Sequence, residues 1–379
     1  MQPMADAELF IGLMSGTSLD GVDGVLAEFS GGRMAVRAYA TAPFPDALRA
    51  NLLALNTPGD NELHRAALAG NGLARIYAGV VGQLLADSAT PAAAVIAVGA
   101  HGQTVRHRPS EFDGVGYTLQ INNPSLLAEL AGIDVVADFR SRDLAAGGQG
   151  APLVPAFHRS LFALPGQSVA VLNIGGISNL SLLPAADAAQ DPAVLGFDCG
   201  PGNALMDHWC QLHTGQPFDR GGQWAATGRV LPELLARLQA DPYFAKVPPK
   251  STGRDLFNPA WLSASLGAAA SAAPADVQAT LTEFTASICA ADLLRYGKDS
   301  KLLIVCGGGA LNDHLLARLR AHLPGVQVDA STKHGLPPQQ VEAAAFAWLA
   351  RRTVRREAGN LASVTGARGA RVLGALYPA

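Results

Sequence analysis

IGLMSGTSLDGVDGV, residues 11–25, is the stretch on which the fold turns. Apolar residues lead in at Leu9, Phe10, Ile11 and Leu13, and Val22, Val25 and Leu26 lead out. Two such runs around a cluster of Gly, Ser and Thr predict a β-hairpin. The connection carries Ser15, Gly16, Thr17, Ser18, Leu19 and Asp20, and then Gly21, Val22 and Asp23. Main-chain N–H groups at Gly16 and Gly21 can face an anion, and the hydroxyls add donors. Such a turn can hold a polyphosphate without a side-chain cation. An ordinary Gly/Ser turn has the same composition, so recurrence along the chain decides between the two.

The pattern does recur. Val169 to Leu183, VAVLNIGGISNLSLL, is again an apolar strand, a turn at Gly175 and Gly176, and an apolar strand. Ala94 to Val98 is a buried strand running into Gly99-Ala100-His101-Gly102-Gln103-Thr104, and LLIVCGGGALN (302–312) runs a strand into Gly307, Gly308 and Gly309. A strand ending in a Gly-rich loop puts that loop at the carboxyl edge of a sheet, where open α/β folds bind ligands. Each half therefore holds a hairpin with an anion-friendly turn and, farther on, a strand ending in a glycine loop. The order of parts is the same in both. The expectation is two α/β halves facing one another across a cleft that grips a nucleotide triphosphate.

Composition agrees with an enzyme of this kind. A chain of 379 residues exceeds what one core usually organises. Hydrophobic residues make up 49% and charged residues 16%, which excludes a disordered or fibrous protein. A net charge of −3 gives no electrostatic footprint for nucleic acid. Arg351, Arg352, Arg355 and Arg356 read as a solvated helix face. Cys199, Cys210, Cys289 and Cys306 are too scattered for a disulfide framework. With no signal peptide and no membrane span evident, a cytoplasmic location is expected.

Between the motifs, a strand is predicted over Met34–Ala40 and helices over Asp46–Leu55 and Glu62–Leu85, the latter with Leu68, Leu73, Ile76, Val80 and Leu84 inward. Strands follow at Tyr117–Ile121 and Asp134–Phe139, with a helix at Ser125–Leu130 between them. Arg140 to Pro155 reads as a loop.

In LGFDCGPGNALMD (195–207), an apolar run delivers Asp198 into a Gly-Pro-Gly turn before a helix. A carboxylate held there suits a general base. It could instead cap the helix, although Asn203 stands closer to that role. PPKSTG (248–253) lacks the glycines a P-loop needs, because Pro249 and Phe244 occupy their places. Lys250 and Arg254 read as solvated charges, the alternative being a phosphate contact from a surface loop. Cys199, His208, Cys210 and His213 lack zinc-ligand spacing. His101 lies on the first glycine loop and His107 just after it; a lone His is usually structural, but one at a strand end is a ligand-binding candidate. Glu342 reads as a favourable charge in a first helical turn.

GLMSGTSLDGVD, ADFRSRDLAAGGQGAPLVPAFH (137–158), NIGGISNLS, GFDCGPGNALMD, PKSTGRDLFN, CGGGALN and EAAAFAWLA together resemble the anhydro-N-acetylmuramic acid kinase family. The resemblance runs nearly end to end. It implies an α/β fold of two ribonuclease-H-like, actin-like ATPase domains flanking a nucleotide cleft, with closure of the two around the substrates. Boundaries are expected at 1–137 and 138–349, with 350–379 packing back on the first domain. The resemblance also implies ATP at Gly16, Thr17, Ser18, Leu19, Asp20, Gly21, Val22 and Asp23, an opposing phosphate turn at Gly175 and Gly176, and adenosine near Gly307, Gly308 and Gly309. Asp198 is then the base, and Arg140 and Glu342 face the sugar, the latter overriding the plainer reading of Glu342. Ser15, His101, Gln103 and Asn173 are further expected sugar contacts. Mg²⁺ is the expected metal, reached by Asp20 through water. A homodimer is expected.

The implied reaction opens the 1,6-anhydro bridge with water and phosphorylates the released 6-oxygen, giving N-acetylmuramic acid 6-phosphate. The alternatives are a kinase of the same fold acting on another sugar or a carboxylate, and an ATP-switched binding protein of the actin type.

Overall fold

The computed structural model describes residues 7–16, 19–185, 193–253 and 256–379. The chain divides into two compact units: Met1–Leu161 with Gln340–Ala379, and Phe162–Gln339. In chain order the strands are β1 (Glu8–Met14), β2 (Gly21–Ser30), β3 (Arg33–Pro43), β4 (Val95–Ala100), β5 (Gln103–Pro109), β6 (Gly116–Ile121) and β7 (Val135–Ala137). The second unit supplies β8 (Val169–Ile174), β9 (Ile177–Leu183), β10 (Leu195–Pro201), β11 (Leu302–Cys306) and β12 (Gln327–Ala330), and β13 (Ala375–Tyr377) returns to the first.

The two main sheets are built alike. The first runs β3-β2-β1-β4-β7, extended by β13, and the second runs β10-β9-β8-β11-β12. In each, the first three strands form an antiparallel meander and the next two join parallel to the first. This shared order, third-second-first-fourth-fifth, is the ribonuclease-H-like arrangement. It turns the suspected repeat of parts into a repeat of topology.

The predicted hairpins form as expected, with Met14 opposite Asp23 in one and Ile174 opposite Ser178 in the other. Apolar alternation explains the cores. Ile11, Leu13, Leu26, Val98 and Val135 pack with Leu73 and Tyr77 from the helix Glu62–Asp87. In that helix Leu73, Val80 and Leu84 are buried, but Leu68 is 55% exposed, because Ala69 and Leu73 turn to the sheet instead. In the second unit, Leu172, Ile174, Phe197 and Val305 pack on Leu281 and Phe284 of the helix Pro274–Tyr296.

Two features depart from the predicted elements. Gln103–Pro109 is a strand, and it pairs with β6 in a separate two-stranded ribbon. Arg140 to Pro155 is not all loop, since Ser141–Ala145 is helical and a helix begins at Val154.

The units divide at Leu161 and Gln340, where the sequence places the boundaries at 137/138 and 349/350. Close packing explains the difference. The helix Val341–Val354 lies so tightly on β1 and β4 that a Cβ at Gly12 would strike the Ala343 carbonyl, and one at Gly99 the Phe346 carbonyl. Residues 138–161 are tied to the C-terminal segment through Asp143, whose carboxylate accepts from Asn360 Nδ2 at 2.7 Å and Thr365 Oγ1 at 2.8 Å. No helix among the described residues is long and apolar enough to cross a membrane. The arginines on the last long helix are not simply solvated: Arg351 and Arg355 pair with Glu8, and Arg352 with Glu357.

Candidate active site

In the first unit, the candidate residues collect at one sheet edge because the strands that carry them end or begin there. Ser15 and Gly16 follow β1, Gly21 and Asp23 open β2, His101 and Gln103 connect β4 to β5, and Arg140 lies just past β7. Ser15 is 1% exposed, and its hydroxyl is 3.1 Å from the Tyr77 hydroxyl and donates to Gly102 O at 3.1 Å. Gly102 N donates to the same Tyr77 oxygen, and Gln103 Nε2 donates to Gly16 O at 3.1 Å. Ser15 and Gln103 thus brace the turn. Thr17 and Ser18 lie outside the described residues. Leu19 follows with φ +56°, a left-handed conformation that side chains rarely adopt, and Leu19 N bonds Gly16 O at 3.2 Å. Non-glycine residues held there mark over-determined segments such as ligand clamps.

Asp20 is exposed, and Asp23 accepts from the Tyr39 hydroxyl at 2.6 Å. Burial raises the Asp23 pKa above the ordinary carboxylate value, and the charge of Asp20 adds to the rise. The two acidic groups therefore feel one another.

Arg140 reaches His101 Nε2 from Nε and Nη2, and Gly150 O from Nη1 at 2.8 Å. Burial and the Arg140 cation hold the His101 pKa well below its usual value, so the imidazole is neutral at pH 7. Burial pushes Arg140 down to about 10, still charged, while Glu342 and Asp143 oppose the shift. Glu342 is half-buried in the first turn of the helix Val341–Val354, as its pattern predicts. The tight seat of that helix on Gly12 and Gly99 is what brings its carboxylate within electrostatic reach of Arg140. Phe346 from the same helix packs on the His101 ring, with centroids 4.7 Å apart.

The second unit gathers its candidates in the same way. Asn173, buried at the end of β8, lies opposite Cys306 at the end of β11. Gly175 and Gly176 form the β8–β9 turn, and their carbonyls accept from the main-chain N–H groups of Gly202, Asn203 and Ala204. Asn203 stands at the N-cap position of the helix Ala204–Thr214, but its side chain makes no cap bond and donates to Ile174 O at 3.1 Å. Gly307 has φ +76°, and a Cβ there would meet Asn173 Oδ1 and the Ile174 carbonyl. Only glycine fits. Gly309 packs against Ile174, and Gly308 is exposed.

Asp198 lies within β10 rather than in the Gly-Pro-Gly turn the sequence suggests. The β9–β10 register slips between Asp198 and Gly200, so the strand bulges there. Bulges re-aim side chains and recur beside active sites. The carboxylate oxygen Oδ2 accepts from Ser251 Oγ at 2.8 Å and Thr252 N at 3.0 Å. Burial raises the Asp198 pKa, while these two donors and the Lys250 charge hold the rise in check. The group is a stronger base than a free aspartate and is oriented from one side.

Lys250 corrects the sequence reading. It is not a solvated charge: its side chain is 1% exposed and pairs with Asp292 at 2.9 Å. Arg254 lies outside the described residues. Sequence reasoning also passed over Tyr77, Tyr243, Asp292 and the donors Ser251 and Thr252. Ser251 and Thr252 belong to PKSTG, a motif weighed as a P-loop and as part of the family resemblance, with no role given to either residue. Tyr77 and Asp292 sit within long helices, where nothing local distinguishes them. Among the described residues, no group of three or more His, Cys, Asp or Glu side chains forms a metal-binding cluster.

Two units with the same ribonuclease-H-like sheet, each collecting glycine turns and polar groups at its carboxyl edge, define the actin-like ATPase fold. Comparison with known proteins specifies the branch. The profile of the family described as "Anhydro-N-acetylmuramic acid kinase" matches residues 8–379. The anhydro-N-acetylmuramic acid kinase of Variovorax paradoxus (strain S110) is 87% identical over 372 residues, covering 98% of this chain and 99% of that one. That of Albidiferax ferrireducens (strain ATCC BAA-621 / DSM 15236 / T118) is 63% identical, covering 98% of this chain and 100% of the relative. The chain belongs to the anhydro-N-acetylmuramic acid kinase family. Among solved structures, a ROK family glucokinase from Streptomyces griseus in complex with glucose and AMPPNP is 14% identical, with a TM-score of 0.40 over 91% of this chain and 99% of that one.

Proposed function

We propose that this chain is an ATP-dependent kinase that opens the internal acetal of 1,6-anhydro-N-acetylmuramic acid and transfers the γ-phosphoryl group to the freed 6-oxygen. The products are N-acetylmuramic acid 6-phosphate and ADP, and the role is recovery of cell-wall sugar. Family membership supports the reaction. The single observation that carries the mechanism is Asp198, set on a bulge and raised in basicity while its carboxylate is held by Ser251 and Thr252.

In the anhydro sugar the 6-oxygen is part of the acetal, so it carries no hydrogen for a base to remove. Water must break the bridge first. Asp198 takes a proton from a water molecule whose oxygen forms a bond to the anomeric carbon, from the face opposite the bridging oxygen. The bond between the anomeric carbon and the bridging oxygen breaks, and its electron pair leaves with the 6-oxygen. That oxygen bonds to the γ-phosphorus as the bond to ADP breaks. Activation of water by a carboxylate follows the logic of inverting glycoside hydrolysis, and the phosphoryl step rests on in-line positioning and charge stabilisation.

Arg140, neutral His101 and Glu342 are assigned to the sugar: a cation for its carboxylate, with polar partners for its hydroxyl and amide groups. Gly16 to Asp23, Gly175, Gly176 and Gly307 to Gly309 are assigned to the nucleotide. Asp20 and Asp23 fit Mg²⁺, since two mutually repelling carboxylates beside a phosphate turn suit an ion held mainly by phosphates and water. When bound, Mg²⁺ supplies charge neutralisation at the phosphates.

The test is Asp198→Asn. Turnover should vanish while ATP binding, measured by calorimetry, stays near wild type. Near-normal turnover would place the base elsewhere.

A further inference from the structure

We propose that Lys250 is a positioning residue for Asp198, acting through its buried pairing with Asp292. This rests on the reading of Asp198 as the base.

One segment holds both the main chain and the carboxylate of Asp198. The Lys250 carbonyl accepts from Asp198 N at 3.1 Å, and the next two residues supply the Ser251 and Thr252 donors to the Asp198 carboxylate. The position of residues 250–252 therefore decides where that carboxylate points. The Lys250 side chain fixes the segment. Nζ donates to both Asp292 oxygens, at 2.9 and 3.1 Å, and lies 5.5 Å from the Phe197 ring centroid and 5.3 Å from that of Tyr243. Asp292 sits on the 23-residue helix Pro274–Tyr296, a rigid part of the second unit's core. Tyr243 completes the frame, donating from its hydroxyl to Asp198 O at 2.7 Å.

Lysine here is not a phosphate ligand, since its ammonium is enclosed and committed to Asp292. Nor is stability a sufficient reason for it. Buried ion pairs commonly break even or lose against apolar replacements of similar volume. What a paired charge adds is direction: two bonds to a fixed carboxylate define where the segment sits, which apolar packing does not. Among the described residues, Lys250 on this segment acts on Asp198, while Asp198, Cys199 on the same strand and Asp292 on the helix all act on Tyr243 of the turn Pro242–Ala245. Of these, the Lys250 cation is the one that holds the Asp198 pKa down.

The test compares Lys250→Met, Asp292→Asn and the double variant Lys250→Met/Asp292→Leu with wild type. Folding is monitored by thermal melting and ADP binding. The double variant leaves no unpaired buried charge, so it tests the proposal even if either single variant fails to fold. Outer partners of metal ligands, which orient a reactive group in the same way, typically carry about 10–100-fold in activity. A fall in kcat of that size is expected in every folded variant, with KM for ATP and for the anhydro sugar unchanged. In Lys250→Met the acid limb of the kcat–pH profile should also move to higher pH, because Asp198 loses the cation that favours its ionised form. A purely structural role would lower the melting temperature and leave both kcat per folded molecule and the limb in place. That result in any folded variant overturns the proposal. If Asp198→Asn is itself active, the base assignment has failed. If Asp198→Asn is dead while the Lys250 and Asp292 variants keep wild-type kcat, only the positioning role has.

Discussion

Arg140 donates to a single atom of His101, reaching Nε2 from Nε at 3.2 Å and from Nη2 at 3.0 Å. A guanidinium has no acceptor, so Nε2 must carry the lone pair and the ring hydrogen sits on Nδ1. The pair works only while the imidazole is neutral, and burial beside the cation keeps it so. One prediction follows for the sugar. Replacing Arg140 with Met removes the guanidinium's bonds to His101 and Gly150 and its charge beside Glu342. KM for the anhydro sugar should rise about 10- to 100-fold, the worth of one charge-assisted hydrogen bond. KM for ATP should not change. Steady-state kinetics with each substrate varied in turn gives the answer, and an equal rise in both constants would contradict the assignment.

Stability should fall as pH drops below 6.5. His158 is fully buried, and burial alone pushes it down to about 3, while burial and nearby arginines push His107 to about 4. Between these values and the unfolded value of 6.5, the unfolded chain binds protons that the folded chain does not. Stability therefore rises with pH across that window and is lost on acidification. A fully buried neutral histidine contributes up to about 1.4 kcal/mol per pH unit. Urea melts at pH 5 to 7.5 on wild type and His158→Leu should show a shallower slope in the variant by about that amount. Equal slopes would mean that His158 is protonated in the fold.

The close seat of the helix Val341–Val354 predicts a penalty for a single methyl group. In Gly99→Ala the new Cβ meets the Phe346 carbonyl, which is main chain and cannot rotate away. Overpacking of this kind costs about 1–3 kcal/mol. The same displacement moves Glu342 at the helix start, so the folded fraction should also lose affinity for the sugar. A urea midpoint equal to wild type would show that the helix has room to shift.

Much of this was legible in the sequence. Hairpins and glycine-ended strands announce themselves because an apolar run must be buried and a glycine cluster must turn. The repeated order of parts gave the two-unit plan, and the shared strand order is its physical cause. The assignment of Arg140 and Glu342 to the sugar rests on the resemblance to a family, not on pattern, since each meets its partners only after folding. Lys250 was misread for the same reason. A lysine between prolines and Ser-Thr-Gly looks solvated, and its partner Asp292 lies 42 residues away on a helix whose nearly all-round burial leaves no amphipathic signal. Leu68 failed differently: helical spacing allowed it inward, but small Ala69 let the helix turn another face to the sheet.

The most direct measurement of the central claim is the fate of solvent oxygen. The reaction is run in oxygen-18 water, quenched before the anomeric hydroxyl can exchange, and the sugar phosphate is fragmented by mass spectrometry. One labelled oxygen at the anomeric carbon, with none in the phosphate or at the 6-position, is the predicted result. An unlabelled anomeric oxygen, or label in the phosphate group, would contradict ring opening by water and capture of the departing 6-oxygen.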